Sequence, residues 1–188
     1  MRYTKVTILF VSLILLQLSV YAKDINKVQA GIAQQQILEQ TDIKTVNGEI
    51  IHIDRTKNGL IFKGYEDKIV LLEVFGHSCP PCKASIPGYN RLQKKYQKDV
   101  LVIAIEGWGS DNAGLKQYAH THNIHYKAVS TADSGKIIPF IGKLTGWNLN
   151  MGVPYLMLFS RGGVLAKDVP PQGLPEEHVN GMIQQLLK

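Results

Sequence analysis

The chain has 188 residues, of which 45% are hydrophobic and 19% charged, and a formal net charge of +6. These values suit one globular domain and exclude a disordered tail, a collagen-like fibre and a polytopic membrane protein. Two cysteines, Cys79 and Cys82, exclude a disulfide-stapled miniprotein and a zinc site built from four thiolates.

Residues 1–22 place Arg2 and Lys5 before an apolar run from Val6 to Val20, contain no acid, and end with Val20 and Ala22 at the positions a signal peptidase inspects. The run is about 15 residues, short of the roughly 20 that cross a bilayer. A signal peptide cleaved after Ala22 is therefore expected, with an uncleaved anchor as the alternative. No cysteine near that point can carry a lipid. Removing Arg2 and Lys5 leaves 19 basic against 15 acidic residues, a net charge of +4. The densest basic stretch, Arg91 to Lys98, carries Leu92 and Tyr96 toward a core and reads as a solvated helix face. No nucleic-acid partner is expected.

Along the rest of the chain, Ile25 to Glu39 reads as a loosely amphipathic helix. Asn47-Gly48 and Asn58-Gly59 are turn signals around an alternating strand, Glu49 to Ile53. Lys68 to Phe75 is a nearly continuous apolar run, the pattern of a buried central strand. It leads into Cys79-Pro80-Pro81-Cys82 and a helix to about Gln97. Val100 to Ile105 is a second buried strand. Residues 113–122 form a helix ended by a left-handed Asn123, and Tyr126 to Val129 is a short strand. A helix over Ser134 to Thr145 precedes a Gly/Asn-rich loop. Tyr155 to Phe159 and Val164 to Asp168 form a hairpin about Arg161-Gly162-Gly163. The last helix begins at Pro175 and buries Val179, Met182, Ile183, Leu186 and Leu187 as one stripe. The expected organisation is a signal peptide (1–22), an N-terminal extension of helix plus hairpin (23–65) and an α/β domain (66–188).

A buried strand followed at once by a helix presents the helix's unpaired N–H groups at the sheet's C-terminal edge. Cys79 stands at that N-terminus, where free amides and the helix dipole favour a thiolate. Cys82 follows one turn later on the same face. Cys79 would attack a substrate disulfide and Cys82 would resolve the mixed disulfide. Half of a metal site is the competing reading of a bare Cys-x-x-Cys pair.

Over residues 66–188 the chain resembles the thioredoxin superfamily. Glu73 lies six residues before Cys79, where thioredoxins and DsbA oxidases keep a buried acid. Pro87 lies five residues after Cys82, where the family kinks its active-site helix. Gly152-Val153-Pro154 stands before the hairpin, as the family's cis-proline loop does. The resemblance implies a thioredoxin-like fold, a central mixed sheet flanked by helices. It also implies a cis bond at Pro154 that turns the Val153 backbone toward an extended substrate. The closest likeness is to the TlpA-like exported reductases, because the 75 residues between Cys79 and Pro154 have room for an inserted strand–helix unit. That branch often carries an acid three residues after the second cysteine, where this chain has Ser85, and an aromatic before the first, where it has Ser78.

The resemblance implies a periplasmic protein-disulfide reductase without cofactor or metal, re-reduced by a membrane donor of the DsbD type. DsbA-like oxidation and a Cys/His metallochaperone are the alternatives. Pro80 and Pro81 delete two amides that could donate to the Cys79 thiolate, which favours a more reducing couple, although His77 could donate from the other side. Cys79, Cys82 and Glu73 are the expected catalytic residues, with Glu73 passing protons to and from Cys82. His77, Pro80, Pro81, Val153 and Pro154 are expected at the substrate surface. His120, His122 and His125 read as surface histidines. Trp108 and Trp147 could line a groove or pack. No dimer stripe is visible, so a monomer is expected.

Overall fold

The computed structural model describes residues 35–171 and 173–188, together with Lys23 and Asn26. The expected signal peptide lies outside the described residues, as does most of the helix expected over Ile25 to Glu39. The end of that expectation is corrected: Ile37–Lys44 is a strand, β1.

Strand β1 pairs antiparallel with β2 (Ile50–Thr56), which pairs with β3 (Leu60–Phe62). The β1–β2 register sets Glu39 opposite Arg55, Gln40 opposite Asp54 and Asp42 opposite His52. Each pair is bonded: Arg55 Nε donates to Glu39 at 2.5 Å, Gln40 Nε2 to Asp54 at 2.7 Å, and His52 Nδ1 lies 2.6 Å from Asp42. Such pairs contribute about 0.2–1 kcal/mol each. Full burial of Ile43 and Ile53 contributes about 1.5–3 kcal/mol each, so the buried face decides the strand and the polar pairs fix its register.

The central sheet runs β6-β5-β4-β7-β8, from β4 (Ile69–Phe75), β5 (Val100–Glu106), β6 (Lys127–Val129), β7 (Tyr155–Phe159) and β8 (Leu165–Val169). Strands β4, β5 and β6 are parallel; β7 and β8 are antiparallel. Every residue of β4, β5 and β7 is buried, as their unbroken apolar runs require. The extra strand β6 sits between α2 (Asn112–Thr121) and α3 (Thr131–Thr145), in the stretch where an insertion was expected.

The period of two divides the strands between two cores. Val70, Leu72 and Val74 pack with α3 and the β1–β3 sheet; Ile69, Leu71 and Phe75 pack with α1 (Pro80–Lys95), α2 and α4 (Glu176–Leu186). Ile43, Ile51 and Phe62 of the small sheet belong to the same core as Ile103, Phe140 and Phe159. Asn123 takes the left-handed conformation expected of it, with φ 54°. Pro175 caps α4 instead of occupying its first turn, and Val179 and Ile183 are the buried members of its stripe.

Candidate functional site

Strand β4 delivers the chain to α1 through Gly76-His77-Ser78. Gly76 is required by close approach: the Trp108 ring lies against it, and a Cβ there would fall 2.3 Å from the ring. Cys79 is the N-cap of α1, with prolines at the first two helical positions. Proline fits there because it has no N–H to leave unpaired. Cys79 and Cys82 form a disulfide, and the Cys82 amide donates to Cys79 Sγ at 3.2 Å. Both cysteines are buried, while Ser78, Pro80 and Pro81 are exposed around them.

The facing loop is built by Trp147. Its indole stacks on Tyr155 with ring centroids 4.7 Å apart, and its Nε1 donates to the Gly152 carbonyl at 3.2 Å. Gly152 has φ 94°, a left-handed region that suits glycine. The Val153–Pro154 peptide bond is cis. The Val153 carbonyl oxygen lies 3.9 Å from Cys79 Sγ, and the Val153 N–H and C=O have no backbone partner among the described residues. Trp147 is therefore a packing residue, 2% exposed, whereas Trp108 is 48% exposed beside the cysteine loop.

Glu73 occupies the α1 side of β4, in register with Ala104 and Leu156. It is 2% exposed. Burial pushes its carboxyl up to about 8, against the pull of one hydrogen bond from the Tyr89 hydroxyl at 3.3 Å. A neutral carboxylic acid is the form such a site favours at neutral pH.

Glu106, at the end of β5, was not legible as a site residue. It is fully buried, yet its carboxyl sits below the ordinary range. Burial opposes ionisation, but hydrogen bonds from Thr131, His77, Trp108 and Ser110 outweigh it. The amides of Trp108, Gly109 and Ser110 donate at 3.0, 3.0 and 2.9 Å, and the Thr131 hydroxyl donates as well. His77 Nδ1 lies 3.0 Å from the same carboxylate. The imidazole is thus held by Glu106 through Nδ1. The sequence cue was a charged residue closing an apolar strand immediately before Gly107-Trp108-Gly109.

The Tyr118 and His122 rings lie tilted at 48° to each other with centroids 4.2 Å apart. Among the described residues, no group of three or more His, Cys, Asp or Glu is placed to hold a metal ion, and His120, His122 and His125 do not converge.

No family model matches the chain. It is 36% identical over 63 residues to the chloroplastic thioredoxin F2 of Arabidopsis thaliana, 32% of this chain and 34% of that one. The chain spans between a third and somewhat over half the length of the curated relatives it matches. A thiol:disulfide interchange protein of the thioredoxin family from Chlorobium tepidum superposes with a TM-score of 0.60 at 17% identity, covering 82% of this chain and 98% of that one. StoA from Bacillus subtilis gives 0.56 at 13% identity, covering 80% and 97%. The chain has the thioredoxin fold, with a Cys-x-x-Cys disulfide at the head of α1.

Proposed function

We propose that the protein is an exported thiol–disulfide oxidoreductase that exchanges disulfides with protein substrates through Cys79 and Cys82. The observation that carries this is the disulfide itself: it closes at a helix N-terminus, opposite the Val153 backbone, at the end of the strand β4 in which the Glu73 carboxyl is buried. In the reduced protein the Cys79 thiolate attacks a substrate disulfide and one substrate thiolate leaves. Cys82 then attacks Cys79, re-forming the internal disulfide and releasing the second substrate thiol. The substrate gains two electrons and the cysteine pair loses them. Val153 offers an N–H and a C=O to an extended substrate strand.

The direction we assign is reduction, in the manner of the TlpA-like branch, with re-reduction by a membrane donor of the DsbD type. Support comes from the surroundings of Cys79. Pro80 and Pro81 supply no amide, the Cys82 amide is the backbone donor to the sulfur, and His77 is engaged by Glu106. A thiolate with few donors is less stabilised, which makes its couple more reducing. The Cys79→Ser variant is expected to lose exchange with a peptide disulfide. Cys82→Ser is expected to accumulate a mixed disulfide visible as an added mass. Absence of that adduct with the wild-type cysteines inert to dithiothreitol would reject the redox reading. Periplasmic localisation rests on residues 1–22, and a mature N-terminus at Lys23 is the expected result of sequencing the exported chain.

A further inference from the structure

Tyr89 lies seven residues after Cys82 in α1, and Ser85 three residues after it, so the three share one helical face. Ser85 and Tyr89 line an open cleft of about 490 Å³ between α1 and the segment entering α4, whose walls also include Pro81, Gly88 and Leu174. Glu73 does not line this cleft; its contact in that direction is the Tyr89 hydroxyl, 3.3 Å from Oε1. Ser85 is half-buried at the cleft, and its hydroxyl donates to the Pro81 carbonyl at 3.2 Å. The order from inside to outside is carboxyl, phenol, cleft.

We infer that Tyr89 is the proton exit of the redox site, its hydroxyl joining the buried Glu73 carboxyl to the cleft beside α1. This rests on the redox reading of Cys79 and Cys82. When Glu73 discharges, its proton passes to Tyr89 Oη while the Tyr89 proton passes to water in the cleft. No phenolate forms, in keeping with a Tyr89 hydroxyl that burial holds well above its ordinary pKa. The carboxylate left behind can then accept the Cys82 proton as Cys82 attacks the mixed disulfide. The reverse sequence serves the opposite direction.

Other titratable groups face the same core: Tyr118 from α2, Tyr126 before β6 and Glu106 from β5. Neither Tyr118 nor Tyr126 bonds Glu73, and the Tyr118 hydroxyl has no hydrogen-bond partner among the described residues. Tyr126 meets Tyr89 ring to ring, with centroids 6.0 Å apart. Tyr126→Phe therefore serves as a control.

The test is single-turnover exchange of the full chain with a peptide disulfide, followed from pH 5 to 9 in light and heavy water. Tyr89→Phe preserves the ring and removes only the hydroxyl. It is expected to slow the Cys82 step about tenfold or more and to change its solvent isotope effect. Tyr126→Phe is expected to leave it unchanged. In a Glu73→Gln background, Tyr89→Phe should add nothing. Wild-type rate, pH profile and isotope effect in Tyr89→Phe would overturn the proton exit while leaving the redox reading intact. So would an equal slowing by Tyr89→Phe in the Glu73→Gln background. A wild-type chain that performs no exchange would overturn both.

Discussion

Glu73 and Glu106 are both buried, on neighbouring strands, yet their surroundings drive them to opposite charge states. Glu73 has a single weak donor and apolar walls, so it holds its proton to about pH 8. Glu106 has four amides, a hydroxyl and an imidazole around it and stays a carboxylate. The difference decides their roles: one can move a proton, the other fixes the loop that carries Trp108. It also gives a pH dependence. The folded chain holds the Glu73 proton where the unfolded chain, with an ordinary carboxyl near 4.5, has lost it. The stabilising effect of that proton is complete below about pH 4.5 and is lost as pH rises through about 8. Wild-type stability should therefore decline between pH 5 and 8. Glu73→Gln should flatten the decline and be more stable at pH 8 by about 2–4 kcal/mol. Denaturant titration at the two pH values measures this, and an equal slope in both proteins would contradict it. Glu106 has the opposite sign: its lowered pKa stabilises the fold above the ordinary carboxyl pKa, and that contribution is lost as pH falls through the folded-state value.

The elements that were legible are those that carry their own signal. Strands β4, β5 and β7 are apolar throughout, and α1 announces itself by Cys79 and two prolines at its start. Glu73 stood out as an acid inside an apolar strand, at the position where the resemblance to thioredoxins implies a buried acid. Strand β1 was not legible as a strand, because Leu38, Glu39 and Gln40 and the three glutamines just before Ile37 favour a helix locally, and only pairing with β2 overrides that preference. Trp147 was ambiguous for a related reason: its role depends on Tyr155 and Gly152, which meet it only in the fold. Tyr89 meets Glu73 sixteen residues away, and Glu106 combines nearby amides with His77 and Thr131, which only the fold brings to it. Trp147 yields an element-level prediction. Trp147→Phe keeps a stacking ring but deletes the donor to the Gly152 carbonyl, and should destabilise the chain by about 1–2 kcal/mol. It should also weaken peptide binding, with Cys79 reactivity toward a small alkylating reagent unchanged. A stable variant with unaltered peptide binding would show that the loop does not depend on that bond.

At the scale of the whole molecule, the small β1–β3 sheet and α3 cover one face of the central sheet, while α1, α2 and α4 cover the other. Isolated bridges from Thr45 to Val129 and from Gly59 to Val164 tie the two sheets together. Cys79, Cys82 and Glu73 lie on the α1 face and at its head, and the N-terminal sheet packs on the opposite face. Among the described residues no helix is long and apolar enough to cross a membrane. We propose that this arrangement leaves the Cys79 thiolate with few donors and makes the couple reducing. Equilibrating the full chain in redox buffers and counting alkylated cysteines measures the potential of the Cys79–Cys82 couple. A value near that of thioredoxin, about −270 mV, is expected, and a value near that of DsbA, about −120 mV, would overturn the assignment.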